Sequence, residues 1–177
     1  MASTLNYRGG DTNEVLFATH VDHPFEKGDL LFLDPSTKTV WPAADMVNQS
    51  NAALNQDYFQ AMFAGVALVK YGLNVGEKSF RLVTEETEAR VATAGRFEFA
   101  CASHAYTTGD LVGVYATTDG CANQQVATAA SASLAIGKAV PGVAGVAGAL
   151  TRVTVEIEST VMKGGVQNQV AGSGSGQ

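Results

Sequence analysis

The sequence predicts a mainly β protein, a β-barrel or β-sandwich of two related small lobes with one short helix and extended termini. Three observations lead there. Short runs of β-branched and aromatic residues recur along the chain, separated by Gly, Asn, Asp or Pro. A single stretch has helical spacing. A Gly-Asp-Leu turn with a strand after it occurs twice, once in each half.

The first dozen residues are polar, contain Gly9 and Gly10, and offer only Leu5 and Tyr7 as sizeable apolar anchors. Residues 1–13 are therefore expected to form an arm. From Glu14 the pattern turns strand-like, with Val15, Leu16 and Phe17, then Val21, then Leu30-Leu31-Phe32-Leu33 after Pro24. Asp34-Pro35-Ser36 supplies turn residues, and Thr39-Val40-Trp41 reads as the returning strand. Between Asn48 and Met62, the residues Ala52, Ala53, Leu54, Tyr58, Phe59, Ala61 and Met62 fall near i, i+3, i+4 spacing. Ser50 or Asn51 can cap that helix and Gly65 stops it.

Strands are expected next at 66–71, 79–84, 90–93, 96–100, 111–115, 125–128, 134–140 and 151–158. In the last, Val153, Val155 and Ile157 alternate with Thr154, Glu156 and Glu158, the pattern of a strand with one wet face. The tail, 163–177, is Gly, Ser, Gln and Val, with too little apolar surface to offset its conformational entropy alone. The expected organisation is an arm (1–13), a first β module with the helix (14–94), a second β module (95–162) and the tail.

The repeat supports two modules. Phe25-Glu26-Lys27-Gly28-Asp29-Leu30 and Tyr106-Thr107-Thr108-Gly109-Asp110-Leu111 each place an aromatic residue three positions before Gly-Asp-Leu. Each is followed downstream by a small-residue strand, Ala64-Gly65-Val66-Ala67 and Ile136-Gly137-Lys138-Ala139-Val140. Gly28 and Gly109 lie 81 residues apart, whereas Gly65 and Gly137 lie 72 apart, so the first copy holds extra residues that the helix accounts for. Glycine suits the tight turn because it tolerates positive φ, and aspartate because its carboxylate accepts from nearby amides.

Composition narrows the function. The chain has 177 residues, of which 46% are apolar and 16% charged, with a net charge of −6. The eleven Lys and Arg are scattered, so nucleic acid is not an expected partner. Cys101 and Cys121 have neither the number nor the spacing of a disulfide framework or a zinc site, and read as small buried residues in a reducing cytosol. The start lacks the pattern of a secretory signal. The stretch 127–150 is interrupted by Lys138 and Pro141 and is too poor in large apolar residues to span a membrane. A soluble protein made in a cytoplasm is expected, with no membrane partner.

No catalytic, cofactor-binding or metal-binding residue is expected. His20-Val21-Asp22-His23 is the sharpest cluster, since His20 and Asp22 would share a strand face, but it lacks an obvious third ligand and reads as a polar strand end. Ser103 and His104 are neighbours whose side chains diverge on a strand. Gly137-Lys138-Ala139 lacks the rest of a phosphate loop, and Gly142, Gly145 and Gly148 form no dinucleotide fingerprint. Glu85-Glu86-Thr87-Glu88 reads as a solvated turn.

Gly95-Arg96-Phe97-Glu98-Phe99-Ala100, then Gly109-Asp110-Leu111-Val112-Gly113-Val114, then Ala135-Ile136-Gly137-Lys138-Ala139-Val140, then Val153-Thr154-Val155-Glu156-Ile157, resembles a β-rich family of capsid cement, or head-decoration, proteins of tailed phages. The first half resembles the same family through Gly28-Asp29-Leu30 and Phe63-Ala64-Gly65-Val66-Ala67, so the likeness covers roughly 25–159. It implies a compact β lobe on the outer surface of the capsid, bridging major capsid protein subunits, with no enzymatic activity. It also implies self-association around local symmetry axes, often as trimers, with dimers as the other form. Leu5, Tyr7 and Arg8 are the expected partner-binding residues, on an arm that adds as a strand to a neighbour's sheet edge. The rival readings are a tail-tube or other small β-rich virion protein, and an enzyme or ligand carrier built on His20, Asp22 and His23.

Overall fold

The computed structural model describes residues 6–72, 88–140 and 150–162. Among these residues, nine strands and one α-helix follow one another: β1 (Asn6–Ala18), β2 (Leu30–Leu33), β3 (Val40–Pro42), α1 (Ala52–Ala61), β4 (Phe63–Ala67), β5 (Glu88–His104), β6 (Leu111–Thr117), β7 (Gly120–Thr128), β8 (Gly137–Ala139) and β9 (Leu150–Glu158). The protein is mainly β with one short helix, as the residue pattern predicts.

One hydrogen-bonded path runs β3-β2-β4-β5-β7-β6-β8-β9, and β9 returns to pair with β5. Strands β5, β7, β6, β8 and β9 thereby close a five-stranded barrel, which removes the free edges that an open sheet would leave. Strand β1 pairs antiparallel with β5, and β5, β4, β2 and β3 continue from it. A parallel bridge between Thr19 and Val40 brings this N-terminal ring, the first in chain order, back to its start. Two rings therefore share β5, which crosses the 94/95 boundary expected between modules.

The repeat extends much further than the turn. Gly28 and Gly109 have φ 96° and 90°. Their amides donate to Ala67 O and Ala139 O, each at 2.8 Å. The Asp29 and Asp110 amides donate to Glu26 O and Thr107 O, and their carboxylates take the amides of those same residues. The pairs Leu30–Val66 and Leu31–Gly65 in the first ring correspond to Leu111–Lys138 and Val112–Gly137 in the second. The parallel Thr19–Val40 bridge corresponds to the parallel pair Cys101–Val126. By the same logic, the second half of β1 corresponds to the second half of β5: Val15 faces Val91 as Phe97 faces Val155.

Packing repeats with it. Phe25, Leu31, Val40, Ala64, Ala67 and Val91 form the interior of the first ring. Their counterparts Val112, Val126, Ile136, Ala139 and Val155 belong to the larger cluster that fills the second ring, and Tyr106, the counterpart of Phe25, packs against it. That cluster also holds Phe32, Phe59 and Phe63, so one apolar core runs from the barrel to the face of the first ring covered by α1.

Helix α1 spans less than the expected 48–62, because Asn51 caps it, accepting from the amides of Ala53 and Leu54. Two buried amides dock it: Asn55 donates to Thr117 O at 2.8 Å, and Gln56 to Val114 O at 2.8 Å. The second copy has only a 3-10 turn, Ala132–Leu134, between its corresponding strands.

Three expectations change. The polar start is not an arm from Asn6 onward; it is the first part of β1, with Tyr7 opposite Phe97 and Gly9 opposite Arg96. Strand pairing uses main-chain groups, which polar residues and glycines carry as well as apolar ones, so the apolar pattern was blind to it. The strands expected at 90–93 and 96–100 are one strand, because Gly95 takes φ 139° within β5 instead of ending it. The run 66–71 pairs earlier, as β4, and 134–140 keeps only β8. The strand expected at 79–84 lies outside the described residues, as does the tail.

Gly65 and Gly137 are the tightest points. A Cβ would stand 2.1 Å from Ala92 O at Gly65 and 2.3 Å from Glu156 O at Gly137, and Gly65 also has φ 147°. Gly109 has positive φ but open space around it. Gly65→Ala is expected to destabilise the fold by at least about 2 kcal/mol, and Gly109→Ala by about 1 kcal/mol from its backbone conformation alone. Urea unfolding midpoints of the two variants check the order; equal losses would contradict it.

Candidate functional site

The histidine cluster forms a turn, not a strand face. The His23 amide donates to His20 O at 3.1 Å, which reverses the chain before Pro24 and removes the period-two relation between His20 and Asp22. The His23 ring stacks on Trp41 with centroids 3.5 Å apart, and its Nδ1 lies 2.9 Å from Asp45 Oδ2. His20 Nδ1 accepts from the Asp22 amide at 3.3 Å. These contacts fix the turn onto β3 and the 3-10 turn Ala43–Asp45. Among the described residues, no group of three or more His, Cys, Asp and Glu is placed to hold a metal ion.

The other candidate groups are also accounted for by local structure. Ser103 and His104 lie at the exposed end of β5, where the His104 ring meets the edge of Tyr106 with centroids 4.8 Å apart. Burial pushes both cysteine thiols up, that of Cys121 to about 12, so neither is a ready thiolate nucleophile at neutral pH. Gly137-Lys138-Ala139 is β8 itself, a paired strand rather than a loop. The glycines at 142, 145 and 148 lie outside the described residues, as do residues 85–87. Among the described residues, no helix is long and apolar enough to cross a membrane.

The two Gly-Asp turns differ in environment. Asp110 is only partly buried, and hydrogen bonds from the Thr107 amide and hydroxyl hold its carboxyl below the ordinary range. Asp29 is buried, and burial pushes its carboxyl up against the opposing effect of the Glu26 amide and Gln124. Gln124, on β7 in the barrel, donates to Asp29 Oδ1 at 2.7 Å and so ties the barrel to the turn of the first ring. Ala44 N donates to Asn123 Oδ1 at 2.6 Å one residue away.

Of the expected partner-binding residues, Leu5 lies outside the described residues; Tyr7 and Arg8 are in β1, Arg8 at the register shift between Tyr7 and Gly9. This places their backbone beside the chain's own β5 instead of on a detached strap. Large apolar side chains are exposed at Leu16, Val21, Val47, Leu54 and Met162. Leu16 stands out among these because it lies in a consecutive apolar run on β1: it is 60% exposed, and its neighbours Val15 and Phe17 are half-buried. Sequence reasoning marked the run as a strand but missed this surface. The signal was available, since three successive apolar residues on a strand place at least one on the face opposite the core.

Comparison of the chain with protein-family models, with curated proteins and with solved structures found no match.

The buried carboxyl gives a pH dependence. An aspartate whose folded pKa is raised adds stability that is fully present below its unfolded pKa and lost as pH rises through the folded value. Asp29→Asn keeps the acceptor for the Glu26 amide, and Gln124 can turn its own amide over to meet it. The melting temperature of Asp29→Asn relative to the parent is expected to be higher at neutral pH than at acid pH. A difference that stays constant across that range would contradict burial as the dominant effect.

Proposed function

We propose that this chain is a structural virion protein, a capsid cement or decoration protein that binds the outer surface of a tailed-phage head and bridges major capsid protein subunits. One observation carries the reading. The four segments that resemble the decoration family fall on β5, β6, β8 and β9, four of the five strands of one closed barrel, and the Gly-Asp-Leu turn that leads into β6 recurs, bond for bond, in the first ring. The resemblance thus follows the folding unit and not scattered loops.

The chemistry of the described residues supports binding over catalysis. The buried polar groups Asp29, Asn55 and Gln56 all serve internal hydrogen bonds. The histidines of the turn are held by Asp45, Asp22 and Trp41. What the molecule offers outward is strand edges and separate apolar side chains. On a repeated lattice such contacts need not be individually tight, because many copies raise the effective affinity. An interface of about 1,000 Å² or more per copy would make the docking specific.

In this reading the protein is made in the host cytoplasm, acts on the outer face of the capsid, carries no cofactor and binds neither nucleic acid nor membrane. Leu5, Tyr7 and Arg8 are the proposed capsid contacts, and the backbone of residues 6–9 keeps one edge paired with β5. Tyr7→Ala combined with Arg8→Ala is expected to lower occupancy on purified heads at least about tenfold, the loss of roughly 1.4 kcal/mol or more, while the far-ultraviolet circular dichroism stays unchanged. Copy number per head, by quantitative mass spectrometry, is the readout. Undiminished occupancy would remove these residues from the interface, and copies confined to tails would favour the tail-tube reading.

A further inference from the structure

The internal symmetry of the chain exposes one unfilled place. The second half of β5 has β9 on one side, where Phe97 faces Val155. On its other side it meets β1 at Tyr7 and then β7 at Cys101. The corresponding strand in the first ring is the second half of β1. It has β5 on one side, where Val15 faces Val91, and on the other it reaches β3 at the Thr19–Val40 bridge. Among the described residues, nothing occupies the place beside Val15 that Tyr7 takes beside Phe97.

Burial records the difference. Phe97 and Phe99 are 0% and 2% exposed, whereas their counterparts Val15 and Phe17 are only half-buried and Leu16 between them is exposed. An apolar strand with a free edge is a template for another strand, and stable proteins usually blunt such edges with charge, proline or a covering segment. Residues 13–18 carry a single charge, Glu14, and Arg90 across the sheet is already paired with it.

We infer that the outer edge of β1 at residues 13–18 is a self-association site, occupied by the same edge of a second copy of this chain. Three features select that occupant. The filled place in the second ring takes an antiparallel strand, and a twofold axis presents β1 to β1 antiparallel by necessity. The strand that fills it there is also β1, so this strand's own backbone suits such a place. With the two edges centred on Leu16, Glu14 stands opposite Ala18, and no like charges face each other. A trimer cannot pair identical edges in this way, so the site specifies a twofold contact. The inference goes beyond the capsid reading and does not depend on it.

The test needs no virus particle. Sedimentation of the full chain from micromolar to millimolar concentration is expected to show a monomer–dimer equilibrium. Leu16→Lys, at an exposed position, is expected to weaken it at least tenfold without changing the melting temperature, while Leu54→Lys on α1 leaves it unchanged. Amide exchange at residues 13–17 is expected to slow as the dimer forms in the parent and not in Leu16→Lys. A parent that stays monomeric throughout, an assembly that Leu16→Lys does not weaken, or an equal loss in Leu54→Lys would each overturn the inference. Slowed exchange at β1 only in the presence of another protein would do the same, by assigning the edge to a different partner.

Discussion

Strand β5 is hydrogen-bonded along both edges, and most of the architecture follows from that constraint. At Val91 it has β1 on one side and β4 on the other; at Phe97 it has β1 and β9. Its odd-numbered residues from Ala89 to Cys101 are buried, while Arg90, Arg96 and Glu88 point to solvent. A slip of one residue would exchange those faces at once in both rings. The shared strand therefore fixes the register of each half by reference to the other, and the apolar core continues across it.

The small residues that dominate the composition have a clear role here. Gly65 and Gly137 let β4 and β8 lie so close to the carbonyls of Ala92 and Glu156 that any side chain would collide with them. Gly113 stands under Leu134 O and the Gln56 amide in the same way, beneath the helix. Such contacts build a thin, closely packed molecule with strands on its surface, a form suited to binding through edges and side chains.

Much of this was legible in the sequence, for identifiable reasons. The two Gly-Asp-Leu turns announced the repeat because positive φ and an amide-accepting carboxylate need particular residues. The i, i+3, i+4 spacing located the helix, which accounts for the excess length of the first copy and packs in the place where the second copy has a short turn. The start of β1 was hidden, since it joins the sheet through main-chain bonds and has no apolar alternation. Gly95 looked like a break and is a bend within a continuous strand. Ring closure by the pairs β5–β7 and β5–β9 was equally hidden, because contacts between distant strands leave no local pattern. The apolar run at Val15, Leu16 and Phe17 was visible, but its meaning depended on knowing which edge of β1 is covered.

The buried Asp29, Asn55 and Gln56 join the first ring and the helix to the barrel. The most direct measurement is an electron-microscopy reconstruction of tailed-phage heads assembled with and without this chain. The account predicts added density of one closed five-stranded barrel per copy at regular positions on the outer surface, spanning adjacent major capsid subunits. Identical shells in the two preparations, with the protein left free or found only in the tail, would contradict it.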